Sequence, residues 1–238
     1  MRDSLRYPDE VFQGEPDGEI RAYCPQPAEG RSAFWLASRR AAAGSELATS
    51  VHGYKLLRGK KGDTFWIERV RERARLEGAT GSRESERAFV YRLADGALIM
   101  APIDKEVESG DFDSLSWRML LAEPVEAGHS WSPLPGNADA VARVAAIEAL
   151  DLPLARLESC ARVVVSLLPS GERAGQDEGL RVSETWYAPG IGLVAERYWS
   201  PAGACVSYAF LMATREPTAE EIDRCVGYLA EHPEGPPG

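Results

Sequence analysis

Two Pro/Gly turns divide residues 181–214, RVSETWYAPGIGLVAERYWSPAGACVSYAFLMAT, and no helix survives two such breaks. Three β-strands remain. Val182, Glu184 and Trp186 alternate with Ser183, Thr185 and Tyr187, a β-branched and aromatic mixture that suits a pleated surface. Ala188-Pro189-Gly190-Ile191 sets Pro where φ is near −65° and Gly where φ is positive, which is type II turn chemistry. Gly192 then serves as a second left-handed position, as in a bulged hairpin. Pro201-Ala202-Gly203 turns again, and 205–213 returns. There Val206, Tyr208, Phe210 and Met212 share one face, opposite the smaller Cys205, Ser207, Ala209, Leu211 and Ala213. A bulky face backed by a small one predicts packing on both sides.

The chain has 238 residues, enough for one large all-β domain or two small ones. Its formal charge of −10 argues against a general nucleic-acid partner. No apolar run approaches the ~20 residues of a transmembrane helix, and no apolar stretch follows Met1 to Pro8 as in a signal peptide. A cytoplasmic location is therefore expected if Met1 is the native start, and a periplasmic or envelope-associated one if a leader was removed. Cys24, Cys160, Cys205 and Cys225 are widely spaced and form no CxxC, so buried free thiols are expected rather than zinc.

Residues 1–21 read as an extended lead-in, and 22–216 as one all-β domain of two similar halves, about 22–110 and 111–216. The halves are suggested by a loose echo: Pro27 to Gly30 and then Trp35, against Pro124 to Gly128 and then Trp131. Strands are expected at 34–36, 51–58 and 160–168, and at 89–93 and 97–101 around the Asp95-Gly96 hairpin signal. Residues 154–159 read as a short helical turn. Thr218 followed by Glu221 is a capping box opening a helix over 217–232, and 233–238 reads as a disordered tail.

Two segments fit either period. Residues 64–76 put Trp66, Val70 and Ala74 at helical spacing, but also sort Trp66, Val70, Ala74 and Leu76 against Arg69, Arg71, Arg73 and Arg75 as a strand. Gly62-Asp63 before them and the hairpin after them favour the strand. Residues 139–152 are alanine-rich, which suits a helix, yet they alternate as a strand before Pro153. The Arg69, Arg71, Arg73 and Arg75 face is a candidate anion stripe; more commonly such a face is solvated or pairs with acids across the sheet, for which Glu84, Glu86, Glu106 and Glu108 are available.

No catalytic constellation is readable. His52, His129 and His232 are far apart, and adjacent His129 and Ser130 point to opposite faces of a strand. No phosphate loop, nucleophile elbow or metal-ligand spacing occurs, so neither enzyme activity nor a cofactor or metal is expected.

The run Pro124-x-x-x-Gly128 to Trp131, then Leu-Asp-Leu-Pro153, then Cys160-Ala-Arg-Val163, then Tyr187-Ala-Pro-Gly-Ile-Gly-Leu-Val194 resembles a pattern in bacterial all-β envelope or lipoprotein-like proteins. Those are similar in outline to the LolA/LolB-like lipoprotein-carrier fold. The good match covers 123–214. The chain departs from it at Leu154-Ala155, where Ala-Gly is usual, and shows no leader. The resemblance implies no catalytic set, and a mainly β fold: a curved antiparallel sheet or half-open barrel of two consecutive meander halves, with a C-terminal helix. The expected function is a non-catalytic binding module that holds an apolar ligand or a partner protein segment. Trp186, Trp199, Tyr208 and Phe210 are the candidate lining. The alternative is an accessory subunit docking on a larger bacterial assembly without a small ligand.

Overall fold

The computed structural model describes residues 19–24, 31–40, 47–59, 65–75, 82–103, 112, 115–134, 136, 139–167 and 180–235. Twelve strands form a single antiparallel sheet. The first meander is β1 (Arg31–Arg40), β2 (Leu47–Gly59), β3 (Phe65–Arg75), β4 (Ser82–Ala94), β5 (Ala97–Ile103) and β6 (Arg118–Ala122). The second is β7 (Ser130–Trp131), β8 (Ala140–Leu152), β9 (Ala155–Leu167), β10 (Leu180–Ala188), β11 (Gly192–Trp199) and β12 (Cys205–Ala213). A short helix α1 (Glu19–Ala22) precedes the sheet, and α2 (Ala219–Glu231) follows it. Within each meander neighbours in sequence are neighbours in space, and the two are joined by β1 pairing with β12. The boundary therefore falls between β6 and β7, with β6 belonging to the first meander.

Turn chemistry fixes the hairpins. Asp95 and Gly96 both have positive φ, 50° and 69°, as a two-residue turn matched to strand twist requires. Gly190 and Gly192 are left-handed at 74° and 92°, and the β10–β11 register shifts at Trp186/Tyr187, so the expected bulged hairpin is present. Both ambiguous segments are strands. β3 pairs in continuous register with β2 and β4, and β8 pairs with β9, where cross-strand burial overrides alanine's helical preference. One expectation is overturned: 154–159 is no helical turn. Leu152 pairs with Ala155 across a two-residue turn at Pro153-Leu154, so β9 begins at once. Pro153 has no N–H to give a ladder and is at home in the turn. Arg156 then ties the hairpin together, 3.0 Å from Asp151 Oδ2 and 2.9 Å from Glu158 Oε1. Of the lead-in expected over 1–21, residues 19–21 lie in α1, and of the tail expected over 233–238, residues 233–235 carry a turn in which Gly235 N–H donates to His232 O; the rest of both, with 41–46, 60–64, 104–111 and 168–179, lies outside the described residues.

The sheet curls until its two ends touch. Met119 N–H of β6 donates to Pro133 O just beyond β7 at 2.8 Å, and Trp131 Nε1 donates to Met119 O at 3.3 Å. No ladder joins these edge strands, so the barrel stays half-open. Leu98 and Leu121 from one end share a core with Val144, Val163 and Tyr187 from the other. Their face is the concave one. Arg118 and Tyr198 lie far apart along the sheet yet interact electrostatically, which they can do only across the concavity.

The convex face carries α2. Thr218 caps it with a full capping box: its hydroxyl accepts from Glu221 N–H, and the Glu221 carboxylate accepts from Thr218 N–H. A helix this short is marginal alone, and burial of Cys225 and Leu229 against β12 and β1 holds it. Leu229 alone contributes roughly 2 kcal/mol by apolar burial. The opposite side of α2 faces water, as expected of a helix lying on the outside. β12 is consequently packed on both faces: Phe210 is fully buried beneath α2, and Leu211 is buried toward the concavity.

Candidate functional site

Cross-strand register decides which side chains share a face. Trp186 pairs with Ala195, Ala195 with Phe210, and Phe210 with Leu36; one register step along, Glu184 pairs with Arg197, and Arg197 with Tyr208. All of these lie on the convex face, where α2 covers β12 and β1 and the chain that follows it reaches Arg197. Three of the four aromatic candidates, Trp186, Tyr208 and Phe210, are therefore buried there, and Trp199 packs partly buried beside them. Tyr208 and Phe210 have ring centroids 5.7 Å apart, and Phe210 meets the Tyr228 edge at 5.6 Å. The four candidates are gathered together, but around a seat for α2 and not around the concavity.

A ladder of charge crosses the same face. Glu148, Arg162, Glu184 and Arg197 stand on β8, β9, β10 and β11 in alternating sign. Arg162 Nε lies 3.1 Å from Glu148 Oε1, and its Nη1 lies 3.2 Å from Glu184 Oε1. Arg197 donates from Nε to Glu184 Oε2 at 3.0 Å and from Nη2 to the same oxygen. Glu184 is completely buried, and a buried carboxylate persists only when paired and hydrogen-bonded. Aromatic rings complete its setting: the Arg197 guanidinium carbon stands 5.4 Å from the Trp186 ring and 4.8 Å from that of Trp199. Trp186 Nε1 donates to Glu148 Oε1 at 3.1 Å. The ladder matches each carboxylate with a guanidinium and binds four strands together.

The concave face has a closed end and an open end. At the closed end α1 sits as a plug. Ile20 N–H donates to Glu123 Oε1 at 3.1 Å, Ala22 O accepts from Gly190 N–H at 2.6 Å, and Tyr23 Oη donates to Ser159 O at 3.3 Å. Ile20 and Cys24 pack there on Tyr187, Val144 and Leu121. Toward the other end, among the described residues, the packing stops. Tyr198 and Leu167 are each 40% exposed there; Ile147, equally exposed on the same face, pairs with Ala161 and so stands level with Tyr187 at the α1 end. These are the large hydrophobic side chains left most exposed among the described residues. Tyr198 Oη donates to Glu196 Oε2 at 3.3 Å. The Glu196 charge and then burial push the Tyr198 hydroxyl well above its ordinary pKa, while Arg118 pulls the other way. The open end thus offers apolar surface beside a neutral phenol, a carboxylate and a guanidinium.

The remaining candidates are distributed as follows. Arg69, Arg71, Arg73 and Arg75 lie at alternate positions of β3, with Arg71 opposite Glu86 and Arg73 opposite Glu84; their side chains lie outside the described residues. His129 stacks on Trp131 at 5.8 Å. Among the described residues no three His, Cys, Asp or Glu converge as a metal site, and no helix is long and apolar enough to cross a membrane. All four cysteines are free and buried. Burial pushes the thiols of Cys24, Cys160 and Cys225 up to about 12.

Tyr198, Leu167 and Arg118 were not singled out by sequence reasoning. The available signal was the alternation Arg197-Tyr198-Trp199 on β11, where the tyrosine takes the face opposite the tryptophan. No protein-family profile matches the sequence, and no curated protein does. Among solved structures, the chain is similar to a protein from Bacteroides fragilis described as exported and having a YmcC-like fold, at 15% identity. That alignment covers 81% of this chain and 98% of the other, with a TM-score of 0.47. A protein from Parabacteroides distasonis described as a lipoprotein aligns at 14% identity over 82% and 98%, with a TM-score of 0.44. At this distance the function has to be argued from the chain's own residues.

Proposed function

We propose that the protein is a non-catalytic binding module that holds an apolar ligand, or an apolar segment of a partner protein, at the open end of its concave face. One observation carries this reading. The exposed hydrophobic side chains Tyr198 and Leu167 lie near one another toward the open end of the concave face, while α2 covers the convex face of β12 and β1. Apolar surface held in a concavity beside a few polar groups is the common form of a small-molecule site, and contiguous exposed apolar surface marks binding surfaces. The α1 plug would set the depth to which a ligand enters, and Arg118 and Glu196 would meet its polar end.

Titration with a fluorescent fatty acid tests the reading. Wild-type protein should bind it saturably, and Tyr198→Asp and Leu167→Asp, which keep the β circular-dichroism spectrum, should bind it weakly. Equal binding by folded variants, or no saturable binding by the wild type, would remove the proposal and leave the accessory-subunit role.

A further inference from the structure

We infer that residues 5–12, Leu-Arg-Tyr-Pro-Asp-Glu-Val-Phe, are an in-cis occupant of the open end of the concave face, seating Val11 and Phe12 against Tyr198 and Leu167 in competition with the ligand. The inference rests on the reading of the open end as a binding site and names how access to it is regulated.

α1 brings this part of the chain to the concavity. Ile20 N–H donates to Glu123 beyond β6, Ala22 O accepts from Gly190 N–H of the second meander, and Ile20 and Cys24 pack on concave side chains. The residues before Glu19, which lie outside the described residues, therefore join the molecule at the concave face. A continuous strip leads from there to the open end. Tyr187 packs with Ile20 and Cys24, and its hydroxyl interacts electrostatically with that of Tyr198. Tyr187 pairs with Leu193, and the strand from Leu193 to Tyr198 is about 17 Å long. A fully extended chain from Phe12 to Glu19 spans up to about 23 Å, so the reach is sufficient.

The chemistry of the segment fits the surface. Tyr198 and Leu167 present apolar area of the kind that marks a docking surface. The large apolar residues before α1 are Leu5, Tyr7, Val11 and Phe12, whereas Gln13 to Gly18 carry none and have the composition of a tether. Asp9 and Glu10 adjoin Val11, and they are opposite in charge to the exposed Arg118, which faces Tyr198 across the concavity. Short tethering gives an effective concentration on the order of 1 mM, so a weak intrinsic affinity is enough to fill the site.

The test compares wild-type protein with a full-length chain carrying Val11→Asp and Phe12→Asp. A dye-labelled peptide of residues 1–18, followed by fluorescence anisotropy, should bind this variant saturably and bind wild type at least about threefold more weakly. Threefold is the factor for an in-cis segment that fills the site about two-thirds of the time. Adding Leu167→Asp or Tyr198→Asp to the variant should abolish peptide binding while the β spectrum is kept. The fluorescent fatty acid should show the same gain in affinity from wild type to variant. No peptide binding, peptide binding retained by a folded Leu167→Asp or Tyr198→Asp chain, or equal affinity of a bound probe for wild type and variant overturns the inference. A fatty acid that binds neither chain removes the small-ligand reading instead, and the peptide alone then decides the inference. Sedimentation that finds a wild-type dimer, dissociated by Leu167→Asp, assigns the surface to a second copy and overturns it too.

Discussion

Replacing Arg197 with Met tests whether the charge ladder holds β10 and β11 together. The change keeps most of the side chain's apolar stem and removes the guanidinium. Glu184, with no exposed side-chain surface, then loses two donors and keeps Arg162 at 3.2 Å, itself 19% exposed. Breaking a buried ion pair from one side costs about 3–5 kcal/mol, and the surviving Arg162 contact argues for the lower end. Loss of the two indole contacts adds roughly 1 kcal/mol. The expected destabilisation is about 4 kcal/mol, which with a urea m-value of roughly 2–3 kcal/mol/M lowers the midpoint by more than ~1 M. Urea denaturation followed by circular dichroism measures it. Replacing both partners, Arg197→Met with Glu184→Leu, should recover much of the loss, because no charge then remains buried without its mate. A midpoint shift below ~0.3 M, or strictly additive single effects, would falsify the ladder's role.

Further outcomes are expected. Gly190→Val forces a branched residue to a φ of 74° at the turn that receives α1, so the melting temperature should fall by an amount equivalent to about 1–3 kcal/mol. Native protein should react slowly with a thiol reagent, and unfolding should release four reactive thiols. The folded-state pKa values of Cys24, Cys160 and Cys225 are raised to about 12, so their contribution is intact below the ordinary thiol pKa and is lost as pH rises from about 9 toward 12. Chemical denaturation across that range should show falling stability, and a flat profile would contradict the burial of these groups. Thr218→Ala should cost about 1 kcal/mol through loss of the cap, seen as a lower melting temperature. Glu221 is depressed to about 2, first by Arg215 and then by the Thr218 backbone. Its small contribution should therefore be present above the ordinary carboxylate pKa and fade as pH falls toward 2.

Much of the architecture was legible because it is written in local chemistry. Pro189 with Gly190 and Gly192, Asp95-Gly96, and Thr218 with Glu221 each specify a backbone geometry that few other arrangements satisfy, and each appears as expected. β8 was ambiguous because its alanines suit a helix and its alternation suits a strand; pairing with β9 across the turn at Pro153-Leu154, itself unread in the sequence, decided it. The turn at Pro153-Leu154 was hidden by the apparent helical character of the residues after it. The faces were harder still. Alternation places Trp186 opposite Tyr187, but which side is concave depends on how β6 comes round to meet β7, and no run of residues encodes that closure. Large aromatic side chains therefore drew attention to the seat of α2, while Tyr198 and Leu167, one register step away, line the open face.

Native mass spectrometry of gently purified protein, set against its denatured mass, tests the binding function most directly. An apolar molecule held at the open end of the concavity predicts a native mass exceeding the denatured one by a discrete ligand, with the excess lost in Tyr198→Asp and Leu167→Asp. A bare native mass for wild-type protein that also fails to take up a fluorescent fatty acid contradicts it.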